Sequence, residues 1–159
     1  MPVVLRDPRS ALRSKAWLDA AYREWLAEIG ASSEELTGAD QQLAALLLDP
    51  RVIAVVIERD GEPAGFALLR REEITAAASR YVLLDFYILP ASRRLGVGRE
   101  AARLLFERFT GHWEIAVLGG DTAALGFWRR VLQRHAPGSV HELREAGRIL
   151  QRFTSKGAR

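Results

Sequence analysis

The chain has 159 residues, of which 48% are hydrophobic and 27% are charged. This length and apolar content suit one folded domain with its own core and argue against a disordered chain. The sequence contains no cysteine, which excludes disulfide bonds, thiolate metal sites and a cysteine nucleophile. Any acyl transfer by this chain must use another nucleophile or pass directly from donor to acceptor.

The charge and hydropathy of the chain indicate whether nucleic acid or a membrane is a partner. The formal net charge is +3, but the basic residues are spread along the chain and form no block interleaved with aromatic residues. We therefore expect no nucleic-acid partner. The longest uncharged apolar run, Leu43–Leu48, is too short to cross a membrane, and the N-terminus lacks the pattern of a secretory signal. We expect a cytoplasmic protein with no membrane partner.

The first fifty residues predict one short strand and two helices. Val3–Leu5 is apolar enough for an edge strand. A first helix is predicted from Ser10 to Ile29 and is followed by Gly30, a residue typical of helix ends. A second helix is predicted from about Asp40 to Leu48. The apolar positions that recur with helical spacing in the first helix are Leu12, Ala16, Trp17, Ala20, Ala21, Trp25 and Ile29.

The pattern then changes to that of strands. Val52–Ile57 is rich in β-branched residues, and Ala64–Leu69 returns as a second strand after the Asp-Gly pair at 60–61. These segments predict a hairpin. Residues 71–79 are consistent with a loop or with a frayed extension of the strands. Tyr81–Leu89 predicts a third strand, which the following proline stops.

The remaining segments alternate between helix and strand. They are a helix at Gly98–Phe109, a strand at Trp113–Leu118, a helix at Asp121–His135, and strands at Val140–Leu143 and Ile149–Thr154. Antiparallel strands followed by strand–helix–strand–helix predict a mixed α/β fold, with a mostly antiparallel sheet flanked by helices. Because no repeat or linker interrupts the chain, we expect a single domain over residues 1–159.

One segment carries the clearest chemical signal. The third strand runs into a proline, a basic loop with Arg93 and Arg94, and then Gly96 and Gly98 at the start of a helix. These glycines allow a tight turn and close approach of a ligand, and the first helical turn offers unpaired N–H groups and a positive dipole end. With Arg99 nearby, the segment predicts a pyrophosphate site. A glycine turn with solvated arginines is the alternative.

Two common phosphate motifs do not fit this segment. The dinucleotide fingerprint needs G-x-G-x-x-G directly after the strand, and a P-loop needs Gly-Lys followed by Ser or Thr. Neither pattern occurs here.

The segment resembles the central motif of the GNAT superfamily of N-acetyltransferases, in which a strand with a V-x-P-like end leads to R/Q-x-x-G-x-G/A and a helix. The later stretch, Trp113–Leu118 followed by Asp121–Trp128, resembles the family's next strand and its N-x-x-A-x-x-F-Y helix. The order of elements is similar over nearly the whole chain. The resemblance implies a GNAT-like fold and an acetyl-CoA-dependent N-acetyltransferase that uses no metal.

The resemblance also implies how acetyl-CoA is held. Backbone amides from Leu95 to Arg99 hold the pyrophosphate, and the pantetheine arm pairs with the third strand in a V-shaped slot that opens towards residues 113–118. A backbone N–H near Ile88 polarises the acetyl carbonyl. The cofactor-binding residues implied are Tyr87, Ile88, Leu89, Arg93, Arg94, Leu95, Gly96, Val97, Gly98, Arg99, Asp121, Ala124, Phe127 and Trp128.

Three residues depart from the family pattern. Asp121 stands where asparagine is usual; it caps a helix well but lacks the amide donor. Trp128 stands where many members have a tyrosine that protonates the departing thiolate, and an indole N–H is not a practical acid. Tyr87 or a water molecule is therefore considered for that step. Arg94 replaces a common glycine.

Asp85 and Tyr87 are the candidate catalytic residues. Asp85 places a charge inside the otherwise apolar run Tyr81–Leu89, where a carboxylate needs a partner or a function. Family members often carry a carboxylate on this strand that binds or deprotonates the amine, so the resemblance implies that role for Asp85. Tyr87 follows two residues later, on the same face of a regular strand. A structural strand residue is the alternative for Asp85.

The acceptor is expected to be a primary amine on a small molecule or a peptide. If the fold is GNAT-like, the first helix and the loop after it cover the acceptor site. Acidic residues of this segment indicate a cationic acceptor: Glu24, Glu28, Glu34 and Glu35. The C-terminal strand could pair across a homodimer. Three histidines lack metal-ligand spacing: His112, His135 and His141.

Two other functions stay open at this point. A CoA-binding sensor or scaffold without catalysis is one, because Trp128 replaces the usual acid. A nucleic-acid-binding protein is the other, because the pI is about 9.8.

Overall fold

The computed structural model describes residues 2–10 and 12–156. The strands are β1 (Val3–Arg6), β2 (Val52–Arg59), β3 (Glu62–Thr75), β4 (Ala78–Ile88), β5 (Gly111–Leu118), β6 (His141–Glu145) and β7 (Arg148–Ser155). The helices are α1 (Leu12–Glu28), α2 (Ser33–Thr37), α3 (Ala39–Leu48), α4 (Val97–Arg108) and α5 (Thr122–His135). Within the described ranges, every helix is too short or too polar to span a bilayer.

The seven strands form one sheet in the order β1-β2-β3-β4-β5-β7-β6. The pairs β1–β2, β5–β7 and β6–β7 are antiparallel, whereas β4 and β5 are parallel and pair from Arg80↔His112 to Leu83↔Ile115. The predicted mixed α/β fold is therefore confirmed. β6 is an edge strand, and all five of its residues are exposed.

The chain forms two compact units. The first comprises Met1–Leu68 and Asp85–Val97, and the second comprises Leu69–Leu84 and Gly98–Arg159. In the first unit α1 packs against α3, and α3 packs against β2. In the second unit α5 packs against β5, and the rings of Phe106, Trp113 and Phe153 meet in the core. β3 and β4 contribute residues to both units.

The predicted Asp-Gly turn is confirmed. Asp60 has φ 51° and Gly61 has φ 82°, so both central residues are left-handed, as in the type I′ turn that matches strand twist. The turn between β6 and β7 has the same geometry, with φ 50° at Ala146 and φ 76° at Gly147.

Residues 71–79 are mostly strand, which contradicts a loop and agrees with an extension. β3 continues to Thr75 and β4 begins at Ala78. The Nε of Arg71 donates a hydrogen bond to the Ser79 hydroxyl over 3.1 Å. Polar side chains that are exposed on both faces explain why the sequence shows no alternating pattern here.

The first helix exists as predicted, but its buried face differs. The buried residues are Leu18, Ala21, Tyr22 and Leu26. Trp17 and Trp25 are half-buried, and Ile29 lies beyond the helix and is exposed. Gly30, with φ 84°, follows the helix end as predicted, and the Ala31 N–H donates to the Leu26 carbonyl.

Gly65 in β3 determines how closely β4 approaches. A methyl group at Gly65 would lie 2.2 Å from the Tyr87 carbonyl oxygen and 2.9 Å from Cδ1 of Ile88. Next to it, the Leu89 N–H donates to the Ala64 carbonyl over 2.8 Å. Only glycine leaves room for the backbone at Tyr87 and Ile88.

We predict that Gly65→Ala destabilises the protein by about 1–3 kcal/mol, the usual cost of overpacking, because the Tyr87 carbonyl must move. Gly126→Ala in α5 is the matched control, since its added methyl meets only the flexible Arg130 side chain at 3.3 Å. Alanine favours a helix over glycine by about 0.8–1 kcal/mol, so the control variant gains stability. Urea unfolding measures both variants. An unchanged midpoint for Gly65→Ala contradicts the close approach.

Candidate active site

Asp85 is the only acidic residue of β4 and is half-buried. Neutral, mostly apolar residues flank it in the strand. None of the described residues gives its carboxylate a hydrogen bond or an ion pair. The strand therefore holds an unpartnered carboxylate where a charge is costly.

Burial raises the pKa of Asp85 from 3.8 to about 6, because removing water disfavours the charged form. The Tyr22 hydroxyl of α1 senses this charge. Burial, and then the negative charge of Asp85, raise the pKa of Tyr22 to about 12. A carboxylate with a pKa near 6 is mostly ionised at pH 7 and still basic enough to accept a proton.

An aromatic cluster lies between α1 and the strands of the first unit. The ring of Tyr22 is 5.5 Å from Trp25 and 6.2 Å from Phe66. The ring of Phe66 is 5.8 Å from Tyr87. Such tilted ring pairs stabilise their neighbours beyond simple burial. The cluster fixes Tyr87 on the face of β4 that α1 covers.

Tyr87 is 5% exposed and lies beside charged residues of α1 and the following loop. Burial raises the pKa of Tyr87, the Glu28 carboxylate raises it further, and the Arg93 guanidinium opposes this rise. The hydroxyl is therefore protonated at neutral pH and donates a hydrogen bond to the Glu28 carboxylate.

Arg93 does not extend freely into solvent. Its Nε donates to the Ile88 carbonyl over 2.9 Å, and its Nη2 lies 2.7 Å from Oε1 of Glu28. The guanidinium carbon is 5.5 Å from the centre of the Tyr87 ring. The predicted phosphate contact of Arg93 stays a prediction, whereas its contacts within the first unit are direct.

The loop after β4 is shaped for a close backbone approach. Residues Pro90–Ser92 form a single helical turn, and Leu89 accepts a hydrogen bond from Ser92 over 2.8 Å. Arg94 has φ 61° and Gly96 has φ 80°. Both values lie in the left-handed region, which glycine adopts at no steric cost and Arg94 adopts with strain.

Helix α4 begins at Val97, directly after this turn. Val97 is buried and anchors the helix start, while Gly98 is half-buried. The first N–H groups of a helix lack partners within it and attract an anion. Arg94 and Arg99 are exposed beside them. The predicted residues Leu95–Arg99 thus form one continuous turn and helix start.

In the second unit, Asp121 caps α5 as predicted. Its carboxylate accepts a hydrogen bond from the Ala124 N–H over 3.0 Å. Phe127 and Ala124 are half-buried, and the buried Trp128 packs edge-on against Phe127 at 4.9 Å. Their predicted contact with a cofactor stays a prediction.

Two residues near Asp85 and Tyr87 were missed as site candidates. Tyr22 was not singled out, although its spacing from Leu18 and Leu26 is that of a buried helix face. Glu28 was considered only as one of several acidic residues, and no local signal links it to Arg93, which is 65 residues away. Over residues 2–10 and 12–156, no three metal-ligating side chains gather at one point.

Comparison with known sequences now identifies the family. The model of the acetyltransferase (GNAT) family matches residues 14–132. The chain belongs to the GNAT acetyltransferase family. No curated protein matches the chain.

Solved GNAT structures share this fold. An acetyltransferase from Thermus thermophilus has 20% identity and a TM-score of 0.67, and the alignment covers 96% of each chain. The PaiA N-acetyltransferase from Thermoplasma acidophilum, in complex with coenzyme A, has 12% identity and a TM-score of 0.60 over 97% of this chain and 99% of that one. The ribosomal-protein-S18-alanine N-acetyltransferase from Escherichia coli has 16% identity and a TM-score of 0.65 over 99% and 97%.

This GNAT protein is therefore an acetyltransferase, and acetyl-CoA is the donor that its family uses. The turn at Arg94 and Gly96 and the start of α4 fit the pyrophosphate of such a donor, since they combine a close backbone approach with free N–H groups.

We predict that Asp85→Asn stabilises the protein at neutral pH. Asp85 keeps its proton to about pH 6 when folded, whereas in the unfolded chain it loses it near 3.8. Wild-type stability therefore falls relative to the variant as pH rises from 4 to 6, by about 3 kcal/mol at most. Below about pH 4 the part of the difference that comes from ionisation of Asp85 falls away.

Urea unfolding at pH 4 and pH 7.5 measures this gap. Asp60→Asn is the control, because Asp60 is exposed in a left-handed turn that asparagine also accepts. If the difference in the free energy of unfolding between the wild type and Asp85→Asn does not change with pH, Asp85 is not buried and ionised in the folded protein.

Proposed function

We propose that this acetyltransferase moves an acetyl group from acetyl-CoA directly to a primary amine, with Asp85 as the general base. The observation that carries the proposal is the unpartnered Asp85 carboxylate, whose pKa is about 6. The lack of cysteine favours direct transfer over a thioester on the enzyme.

Asp85 accepts the proton that the amine loses, either directly or through one water molecule. The amine nitrogen then forms its bond to the acetyl carbon while the carbon–sulfur bond breaks. Much of the rate comes from holding the two reactants in place. A backbone N–H near Ile88 donates to the acetyl oxygen as charge develops there.

Tyr87 supplies the proton that the departing thiolate takes up. Its side chain is buried, and its hydroxyl carries a proton at neutral pH, as any tyrosine hydroxyl of ordinary or raised pKa does. Trp128 has no acidic proton to offer. Water is the other source of this proton, and Tyr87→Phe separates the two by the loss or retention of kcat.

Acetyl-CoA is held by the backbone amides from Leu95 to Arg99, with the exposed cations of Arg94 and Arg99 beside them. The backbone from Tyr87 to Leu89 pairs with the pantetheine arm. The turn at Gly96 and the start of α4 support this arrangement.

The acceptor amine is carried by a cationic molecule. Glu24 and Glu28 of α1 place negative charge near the Tyr87 hydroxyl, and Asp85 adds another carboxylate on the same face of β4. Arg93 offsets only one of these three charges. A cation arriving at this face is attracted by the rest.

The proposal is tested by thiol release from acetyl-CoA with a panel of mono- and polyamines. A thiol reagent reports only the CoA product, because the chain has no cysteine. We expect Asp85→Asn to lower kcat/KM for the amine about 10²–10⁴-fold, with a smaller loss at high pH, where more amine is already neutral. If acetyl-CoA binds but no amine releases thiol, the protein is a CoA-binding module instead.

We predict that Gly98→Val weakens acetyl-CoA binding while the fold survives. Gly98 lies within α4, where valine is a better helix former than glycine, but its side chain crowds the approaching phosphates. Gly98→Ala gives an intermediate loss. Calorimetry measures the Kd of each variant. Unchanged affinity in a folded Gly98→Val variant removes this helix start from the site.

A further inference from the structure

Arg93 contacts three residues of the first compact unit, which lie on α1 and β4. Its Nη2 reaches both carboxylate oxygens of Glu28 on α1, at 2.7 and 2.8 Å, and its Nε holds the Ile88 carbonyl at 2.9 Å. Its guanidinium carbon also lies 5.5 Å from the centre of the Tyr87 ring, within the range of a cation–π contact. One side chain thus ties α1 to the end of β4.

These contacts give Arg93 a different role from the phosphate contact that its place in the motif implies. The Nε and Nη2 donors are already used inside the first unit, and a charge-assisted pair with a carboxylate is among the stronger surface contacts. Among the described residues, none forms a hydrogen bond or an ion pair with the neighbouring Arg94, which is exposed beside the phosphate turn. Two adjacent arginines therefore have separate tasks.

We propose that Arg93 is a positioning residue that holds the Tyr87 side chain and the Ile88 backbone in place for acetyl transfer, and is not a phosphate ligand. The proposal rests on the proposed function, in which Tyr87 donates a proton and the backbone near Ile88 aligns the donor. A displacement of about 1 Å in such a group costs up to about 100-fold in rate.

The charges around Tyr87 give this role a distinct signature. From α1, Glu24 and Glu28 face the hydroxyl; from the loop, Arg93 faces it. From β3 the neutral ring of Phe66 packs against it, and Asp85 lies two residues away in β4. The acidic residues raise the pKa of Tyr87 and Arg93 lowers it, so removing Arg93 or Glu28 has opposite effects on the hydroxyl.

The first experiment compares the kinetics of Arg93→Gln, Glu28→Gln and the double variant, with Arg94→Gln as the matched control. We expect Arg93→Gln to lower kcat about 10-fold or more with the KM for acetyl-CoA nearly unchanged, the pattern of a lost positioning contact. Arg94→Gln raises the KM for acetyl-CoA instead. The double variant is no slower than Arg93→Gln alone, because the two residues act as one unit.

The second experiment needs no turnover, so it separates failure of this proposal from failure of the proposed function. Ultraviolet titration follows tyrosinate formation in the full chain, and subtraction of the Tyr87→Phe titration isolates Tyr87. We expect Arg93→Gln to move the Tyr87 titration to higher pH and Glu28→Gln to move it to lower pH. Simple destabilisation moves both variants in the same direction.

Three results overturn the proposal. The first is an Arg93→Gln variant that loses acetyl-CoA affinity and keeps kcat, because that is the behaviour of a phosphate ligand. The second is a double variant whose loss equals the product of the two single losses. The third is a Tyr87 titration that neither variant moves. If Arg93→Gln does not fold, Glu28→Gln alone, a change at an exposed helix residue, still decides the titration arm, and a Tyr87 titration that stays in place then overturns the proposal.

Discussion

Asp85 in the first compact unit is a half-buried carboxylate without a partner among the described residues, and keeping it charged there lowers the free energy of unfolding. The other features of the proposed site depend on this constraint. Burial among mostly apolar residues of β4 removes the water that an exposed aspartate keeps. The resulting rise in pKa converts a weak base into one suited to neutral pH. In the proposed function, the protein gives up stability at this position because a well-solvated aspartate is a poorer base for an amine.

The backbone beside Asp85 is constrained as tightly as the side chains. Gly65 admits the Tyr87 carbonyl at a distance that no other residue permits, and Arg93 holds the Ile88 carbonyl from the opposite end of the segment. Phe66 supports the Tyr87 ring. The proposed base, the proposed proton donor and the backbone beside them therefore depend on contacts from β3, from the loop after β4 and from α1, which lies far away in sequence.

The strength of local signals decided which features could be predicted. Turns with paired left-handed residues, the glycine after α1 and the Asp121 cap have local causes and were predicted correctly. Helix α2 also has a local cause, the capping box of Ser32 and Glu35, but its five residues are too few for a periodic pattern. The outer part of the β3–β4 hairpin, residues 71–79, is mostly exposed, so its sequence lacks the alternation of apolar and polar residues that predicts a strand. The Arg93–Glu28 pair joins residues 65 apart, so only the folded chain reveals it.

The proposed chemistry depends on the pKa of the Asp85 carboxyl group, which can be measured without substrate. Carbon-13 NMR of aspartate side-chain carboxyls in the folded protein, with Asp85→Asn to assign the resonance, gives the titration midpoint directly. We predict a midpoint near pH 6. A midpoint near the ordinary value of about 4 would mean that Asp85 is solvated or paired, and would contradict the proposed base.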